Sequence, residues 1–336
     1  MSIPKVRAID LGWGYTKYSK VDENGKVEFA AFPSLAPKSV GMDLSSSILG
    51  RRNTVTVKVD GTEYEVGPDS GDLDSNDTTR NLNDMFIFTD QYKAVFFGAL
   101  HYMGTPEIDL LVVGLPISNM GAAEKLKASM LGEHKITDKR TVTVKDVLVL
   151  AQPMGALYYC LGSKKELGLE YMDNDMNLIV DPGFLTFDFL LANGQKIVET
   201  RSGAHPAGVS KVLRAISESI STKHGIRYEN LTAIDRGLRR RKIKINGTEE
   251  DLEPHIRATR GVLEGGLNYM KNIVGQGTDI DNIILVGGGA SVYRKMLETF
   301  YPNHKLVVLE DGQFANVKGF YQAGLGFALS CADEAA

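Results

Sequence analysis

Apolar and polar positions alternate in short blocks at the start of the chain. Lys5–Asp10 is a short apolar run and predicts a strand. Leu11–Tyr15 carries two glycines and predicts a tight turn. Thr16–Val21 and Val27–Phe32 follow as strands joined by Asn24-Gly25, a strong hairpin signal. Thr54–Val59, Asp60-Gly61 and Thr62–Val66 repeat that signal, and an Asp-rich loop, Pro68–Asp84, comes next. The period then changes. Phe86–Met103 and Ala122–Leu131 predict helices, Ile108–Gly114 a strand buried on both faces, Thr141–Leu150 another strand, and Pro153–Leu161 a helix with proline in its first turn.

The second half follows the same order. Asn177–Asp181 is an apolar strand ending in aspartate, Pro182–Leu185 turns, Thr186–Ala192 runs back, and Ile197–Ser202 predicts a third strand. Helices are expected at Val209–Thr222, Leu252–Val274, Ser291–Phe300 and Asn316–Leu329, with strands at Asn282–Val286 and Leu306–Leu309. Each half therefore opens with an antiparallel meander and then alternates strands with helices. Ile9–Thr16 and Val180–Thr186 share one outline: apolar strand, Asp, any residue, Gly, turn, Thr. This points to an internal duplication.

Composition narrows the classes. The chain has 336 residues, which fits two domains. Apolar residues at 43% and charged residues at 24% exclude disorder as the main state. A net charge of −4 gives no global attraction to nucleic acid. Two cysteines, Cys160 and Cys331, exclude a disulfide scaffold and a four-cysteine zinc site. No run reaches the roughly 18 apolar residues of a membrane helix. Met1–Gly12 has no apolar leader core, and with so few cysteines a cytoplasmic protein is expected.

Four motifs carry chemistry. In Asp10-x-Gly12-x-Gly14-x-Thr16-Lys17 the glycines let backbone N–H groups approach an anion, Thr16 and Lys17 add donors and charge, and Asp10 can hold a hydrated Mg²⁺. The plain alternative is a glycine-rich hairpin without ligand. It is no Walker loop, since G-x-x-x-x-G-K-[S/T] is absent, and no dinucleotide fingerprint, since Lys17 stands where a third Gly belongs. Asp181-x-Gly183-x-x-Thr186-x-Asp188 is its second copy. Two such turns could clasp a triphosphate. Val286-Gly287-Gly288-Gly289-Ala290-Ser291 runs a strand through three glycines into a helix, leaving room for a flat ring or ribose. Gln152, between a buried strand and a proline-started helix, could orient a water for in-line attack; otherwise it is a cap.

The order and spacing of these motifs resemble the actin superfamily over nearly the whole chain, and most of all the plasmid-segregation actins of the ParM (StbA) type and small archaeal relatives. Thr143–Val147 followed by Gln152, and Gly114-Leu115-Pro116, are in their style. The resemblance implies an α/β actin-like, ribonuclease H-like duplicated fold with domains at 1–164 and 165–336 around a nucleotide cleft. Insertions are expected at about 35–85 and 204–276. Leu148–Ala156 and Phe314–Leu325 resemble the two connecting helices. By resemblance, Gly12, Trp13, Gly14, Tyr15, Thr16 and Lys17 contact the β- and γ-phosphates of ATP or GTP. Gly183, Phe184, Leu185 and Thr186 close the other side, and Gly287, Gly288 and Gly289 pack on the nucleoside. Asp10 and Asp181 hold Mg²⁺ through water, with Gln152 and Asp181 in the catalytic role. Gln152 departs from the Glu of many members, and Pro182 and Phe184 from smaller residues. The family implies self-assembly into filaments that segregate plasmid DNA through an adaptor protein on centromere-like DNA, without direct DNA or membrane contact.

Other readings carry less. Asp72–Asn83 lacks the Gly and Glu of a calcium loop. The basic run Arg236–Lys244 reads as a solvated face, and the six histidines have no metal-ligand spacing. A small-molecule kinase would need a carboxylate base near the cleft, a cell-shape filament a lipid-binding segment, and a chaperone ATPase a further domain after the last helix.

Overall fold

The computed structural model describes residues 4–39, 52–72, 84–238 and 240–334. The chain forms two compact units, one from residues up to 167 and again from 314 onward, the other from 168 to 313.

The first unit begins with β1 (Val6–Leu11), β2 (Tyr15–Val21) and β3 (Val27–Pro33), followed by the hairpin β4 (Val55–Val59) and β5 (Thr62–Val66). Next come α1 (Asp90–Met103), β6 (Glu107–Ile108), β7 (Leu110–Leu115), α2 (Ala123–Met130), β8 (Gly132–Thr137), β9 (Arg140–Val144), β10 (Val147–Ala151) and α3 (Gln152–Gly162). The main sheet has the order β10-β7-β1-β2-β3. β1 and β7 are buried at every position, which is why both read as unbroken apolar runs. Thr141–Leu150, expected as one strand, is two: Lys145 and Asp146 break it, β9 joins the separate sheet β6-β9-β8, and β10 stays in the main sheet. β8 escapes the hydrophobic pattern because its alternation is short and interrupted by charges. The helix expected from Phe86 begins at Asp90, where Thr89 Oγ1 accepts the Tyr92 N–H as an N-cap.

The second unit contains β11 (Met176–Pro182), β12 (Phe187–Asn193), β13 (Lys196–Ile197), β14 (Gly203–His205), α4 (Val209–His224) and α5 (Leu231–Leu238). The hairpin β15 (Lys242–Ile245) and β16 (Thr248–Asp251) precedes α6 (Glu253–Ala258), α7 (Arg260–Val274), β17 (Asn282–Leu285), α8 (Ala290–Phe300) and β18 (Leu306–Val308). Its sheet has the order β13-β12-β11-β17-β18, with β14 also on β12. Read from the edge, this repeats β3-β2-β1-β7-β10, so the duplication inferred from two aspartate–glycine turns holds for the whole topology. The strand expected at Ile197–Ser202 is broken by a 3₁₀ turn at Glu199–Arg201. The helix expected over Leu252–Val274 is interrupted at Thr259. α5 and the β15–β16 hairpin are elements the pattern does not predict, because the basic run there masks a spacing in which Ile234, Leu238, Ile243 and Ile245 face the core.

The last helix, α9 (Ala315–Glu334), belongs to the first unit, whereas the sequence pattern puts it with the second half. Val317 and Phe320 pack with Val6, Ala8, Leu110 and Val112. α9 crosses α3 at backbone contact: a Cβ on Gly319 would overlap the carbonyl oxygen of Gly155, and one on Gly155 would overlap Asn316. Gly319→Ala is therefore expected to cost about 1–3 kcal/mol, read by urea unfolding.

In the second unit a buried carboxylate ties three elements together. Glu250 on β16 accepts from Lys223 Nζ at 2.6 Å, His255 Nε2 at 2.8 Å and His224 Nε2 at 2.9 Å. His255 Nδ1 in turn lies 2.8 Å from Ser219 Oγ. The Lys223 bond, then that of His255, holds the Glu250 carboxyl down at about 2, against 4.5 ordinarily. A depressed carboxyl stabilises the fold above its ordinary value and loses that effect as pH falls through the folded one. Glu250→Gln should thus lower stability by about 1–3 kcal/mol near neutrality. In denaturant titrations across pH, the difference from wild type should shrink as pH falls from 4.5 toward about 2.

Candidate functional site

In the first unit, strand register sets the geometry. β1 and β2 are antiparallel, with Asp10 opposite Lys17 and Leu11 opposite Thr16, so Gly12–Tyr15 must make the turn. The facing pair becomes an ion pair: Lys17 Nζ donates to Asp10 Oδ2 at 2.9 Å, and Asp10 is buried. Its other oxygen accepts from Gln152 Nε2 at 2.8 Å, at the first residue of α3. The sequence-predicted Asp10, Lys17 and Gln152 are thus brought into one cluster. Gly114 leaves space for it, since a Cβ there would meet Gln152 Cγ at 3.1 Å and overlap the Phe320 ring.

The loop is fastened from below. Ser34 Oγ donates to the Gly12 carbonyl at 2.5 Å, and Ser34 N–H to the Gly14 carbonyl at 3.0 Å. Thr16 is fully buried with its hydroxyl 2.8 Å from Ser34 Oγ, so it holds the loop in place where a phosphate donor was expected. The carbonyls of Gly12 and Gly14 are thus taken up within the protein. Trp13 is buried on Phe86, with ring centroids 6.2 Å apart, while Tyr15 is exposed.

In the second unit, Asp181 lies opposite Asp188 across β11 and β12, and both are buried. Thr186 Oγ1 donates to Asp188 Oδ2 at 2.5 Å. Carbonyls of the turn are consumed by the start of α4: Gly208, Val209 and Ser210 donate to Leu185, Gly183 and Phe184 at 2.9, 3.0 and 2.8 Å. The turn thereby caps α4. Phe184 packs on the apolar core, so it can serve a ligand through its backbone. Gly208 is required, because a Cβ would overlap the Leu185 backbone.

The three glycines divide their work. Gly287 has φ +78°, and a Cβ would overlap Asp181 Oδ1. Gly289 donates to the Pro182 carbonyl at 3.0 Å, and a Cβ would press on Val209. Gly288 alone of the three faces open space, with no atom within 4 Å of the place a Cβ would take. Two of the glycines bring β17 and the Asp181 turn into contact; the third leaves open space above the backbone.

These donors suit phosphate and a hydrated magnesium ion. Asp181 and Asp188 stand opposite each other across β11 and β12, a pairing of acidic groups that a nearby cation would favour. Asp10 already accepts from two partners, so a metal would reach it through water, as Mg²⁺ commonly permits. Among the described residues, no group of three or more His, Cys, Asp or Glu is arranged to hold a metal by side chains alone.

Two family models match the chain in succession: actin like proteins, N terminal domain, on residues 8–155, and archaeal actin homologue MreB-like, C-terminal, on residues 179–299. Together they span more than three quarters of the sequence. This chain is an actin-like protein. Solved structures agree. A 15-stranded ParM filament from Clostridium botulinum is 19% identical, with TM-score 0.76 over 97% of this chain and 100% of that one. The archaeal actin homologue Ta0583 is 20% identical, with TM-score 0.74 over 95% and 98%. Its complex with ADP is 18% identical, with TM-score 0.70 over the same shares. At such identities the likeness establishes the fold. No curated protein sequence matches the chain.

The actin-like turns also use residues that carry no signal in the sequence. Ser34 follows β3 and meets the loop only because β3 pairs with β2, Tyr15 opposite Pro33. Gly208 precedes a helix as many glycines do, and nothing local marks its approach to Leu185. Ser34→Ala should destabilise the protein by about 1–2 kcal/mol in denaturant titrations. Gly287→Ala should abolish saturable nucleotide binding, measured by equilibrium dialysis with labelled ADP, because it displaces the Asp181 carboxylate.

Proposed function

We propose that this actin-like protein binds and hydrolyses ATP, or GTP, and that nucleotide binding drives its assembly into filaments. The observation that carries the reading is the buried Asp10 carboxylate shared between Lys17 of the first glycine turn and Gln152 at the start of α3. A carboxylate paired with lysine accepts hydrogen bonds and does not donate. Gln152 therefore faces Asp10 with its amide nitrogen and turns Oε1 away, where it can accept from a water and aim it. The backbone N–H groups of Gly12–Tyr15 hold phosphate oxygens, and those of Phe184 and Leu185 do the same in the second turn. Gly288 lies against the nucleoside. Asp10 and Asp181 are the residues that would hold Mg²⁺ through water, and the ion would supply positive charge against the developing charge on the phosphates. The chain's own contribution is positioning: no side chain forms a covalent bond to phosphorus, and the proton of the attacking water leaves with the phosphate product.

Assembly is supported by the ParM filament among the structural neighbours and nucleotide binding by the ADP complex of Ta0583. In the same reading the filament moves plasmid DNA in the cytoplasm, reaching it through an adaptor protein on centromere-like DNA. No helix among the described residues is long and apolar enough to cross a membrane.

Right-angle light scattering with Mg²⁺ and ATP, GTP or ADP, with phosphate release followed in parallel, tests the proposal. Scattering should rise with a triphosphate, accompany phosphate release and then decay. Turnover without scattering, dependent on an added small molecule, would contradict assembly. Gln152→Ala should lower stability, because Asp10 loses a donor, and the folded variant should release phosphate from bound nucleotide about a hundredfold more slowly.

A further inference from the structure

Trp13 is the only tryptophan of the chain and the only residue between the two glycines of the first phosphate turn. In a turn that needs bare backbone to approach an anion, a bulky side chain has to go elsewhere. Here it goes inward: Trp13 is 6% exposed, and its ring sits 6.2 Å from Phe86 at a 32° tilt. Phe86 is itself buried and meets Tyr92 edge-on, 5.3 Å away at 88°. Tyr92 stands in the first turn of α1, where Thr89 caps its N–H. The side chains of Trp13, Phe86 and Tyr92 thus form a continuous aromatic contact from the phosphate turn to a helix N-terminus.

Two features set this contact apart from ordinary core packing. Trp13 Nε1 and Tyr92 Oη are both buried and reach no acceptor among the described residues. Buried polar groups are normally satisfied, and exceptions mark places where another demand prevails. Burial, and after it the charge of Asp10, push the Tyr92 phenol up, so its hydroxyl lies within the field of the carboxylate that organises the turn. The rest of α1 is equally well connected within the same unit. Gly98 lies so close to Val66 and Phe32 that a Cβ would overlap Val66, and Phe96 packs edge-on against His134 of β8 at 5.3 Å. Lys93 reaches Asp60 in the β4–β5 turn at 3.5 Å.

We propose that Trp13 is a positioning residue, holding the first phosphate turn from beneath and passing nucleotide occupancy through Phe86 and Tyr92 to α1 and the β4–β5 hairpin. The inference rests on the nucleotide-binding reading given above. A ligand that draws the backbone N–H groups of Gly12–Tyr15 toward its phosphates moves the indole with them, because the side chain has no freedom of its own in a packed interior. α1 then shifts with the ring contacts at its first turn.

The test uses the full chain with ADP and Mg²⁺ as probe. Amide hydrogen exchange is compared with and without ADP, dissociation constants are measured by equilibrium dialysis, and Trp13 emission is recorded in parallel. In the wild type, ADP should slow exchange over 10–17 and also over 90–97 and 55–66, and shift the tryptophan emission. Trp13→Leu, which stays apolar but loses the ring contact, should raise the ADP dissociation constant about tenfold or more and silence the response in 90–97. Trp13→Phe should restore most of both. Tyr92→Leu cuts the path at its far end and should silence 90–97 while the turn still responds; it decides the matter if Trp13→Leu does not fold. An unchanged response of 90–97 in both leucine variants, or no response there in ADP-bound wild type, overturns the inference and leaves nucleotide binding standing. Absence of any nucleotide binding by the wild type overturns both.

Discussion

The buried carboxylate of Asp10 is the constraint on which the first unit's site depends. It stands at the end of a strand buried on both faces, where a lone charge would be severely penalised. Its two oxygens are satisfied from two directions, by Lys17 across the turn and by Gln152 from α3. Two consecutive strands and a helix far along the sequence are thereby held to one point. Removing either donor would leave a buried charge short of a partner, a larger cost than the pair itself returns. Polarity at this position thus specifies geometry, and the geometry defines which way the Gln152 amide faces.

Close backbone approach is the second organising theme. Gly155 and Gly319 let α3 and α9 cross at main-chain contact, which fixes the helix whose first residue is Gln152. Gly208 brings α4 onto the Asp181 turn, and Gly287 and Gly289 bring β17 onto it. In each case glycine is needed because a neighbouring backbone or carboxylate already fills the space of a side chain. Gly288 differs from its neighbours in facing open space, so packing requires glycine at two positions of the run and not at the third.

Much of this is legible in the chain. The aspartate–glycine turns after Ile9 and Val180 announce a duplication, and the matching sheet orders carry it out. Asp10, Lys17 and Gln152 stand out by residue type and place, and they meet. What stays hidden depends on register and tertiary contact. Ser34 is ordinary until β3 pairs with β2 and brings it under Gly12. Thr16 and Phe184 look like ligand groups by position, but the direction of their side chains is decided by Ser34 and by the core. Thr141–Leu150 is apolar enough for one strand, and only the charged pair Lys145-Asp146 betrays the switch between two sheets. The basic run before Lys244 hides the α5–hairpin segment, whose apolar positions alternate beneath its charges. The calcium-loop reading of Asp72–Asn83 and the basic residue Arg239 fall on stretches that lie at least partly outside the described residues.

Helix α9 returns to the first unit, where it and α3 support each other. Each unit carries its own aspartate–glycine turn, and the proposed function assigns nucleotide phosphate and magnesium to these turns. Calorimetric titration of ATP into the purified protein, with Mg²⁺ and then with the metal chelated, tests that claim most directly. One nucleotide should bind per chain, with affinity that falls sharply when Mg²⁺ is removed. Saturable heat that is absent, or indifferent to magnesium, would contradict it.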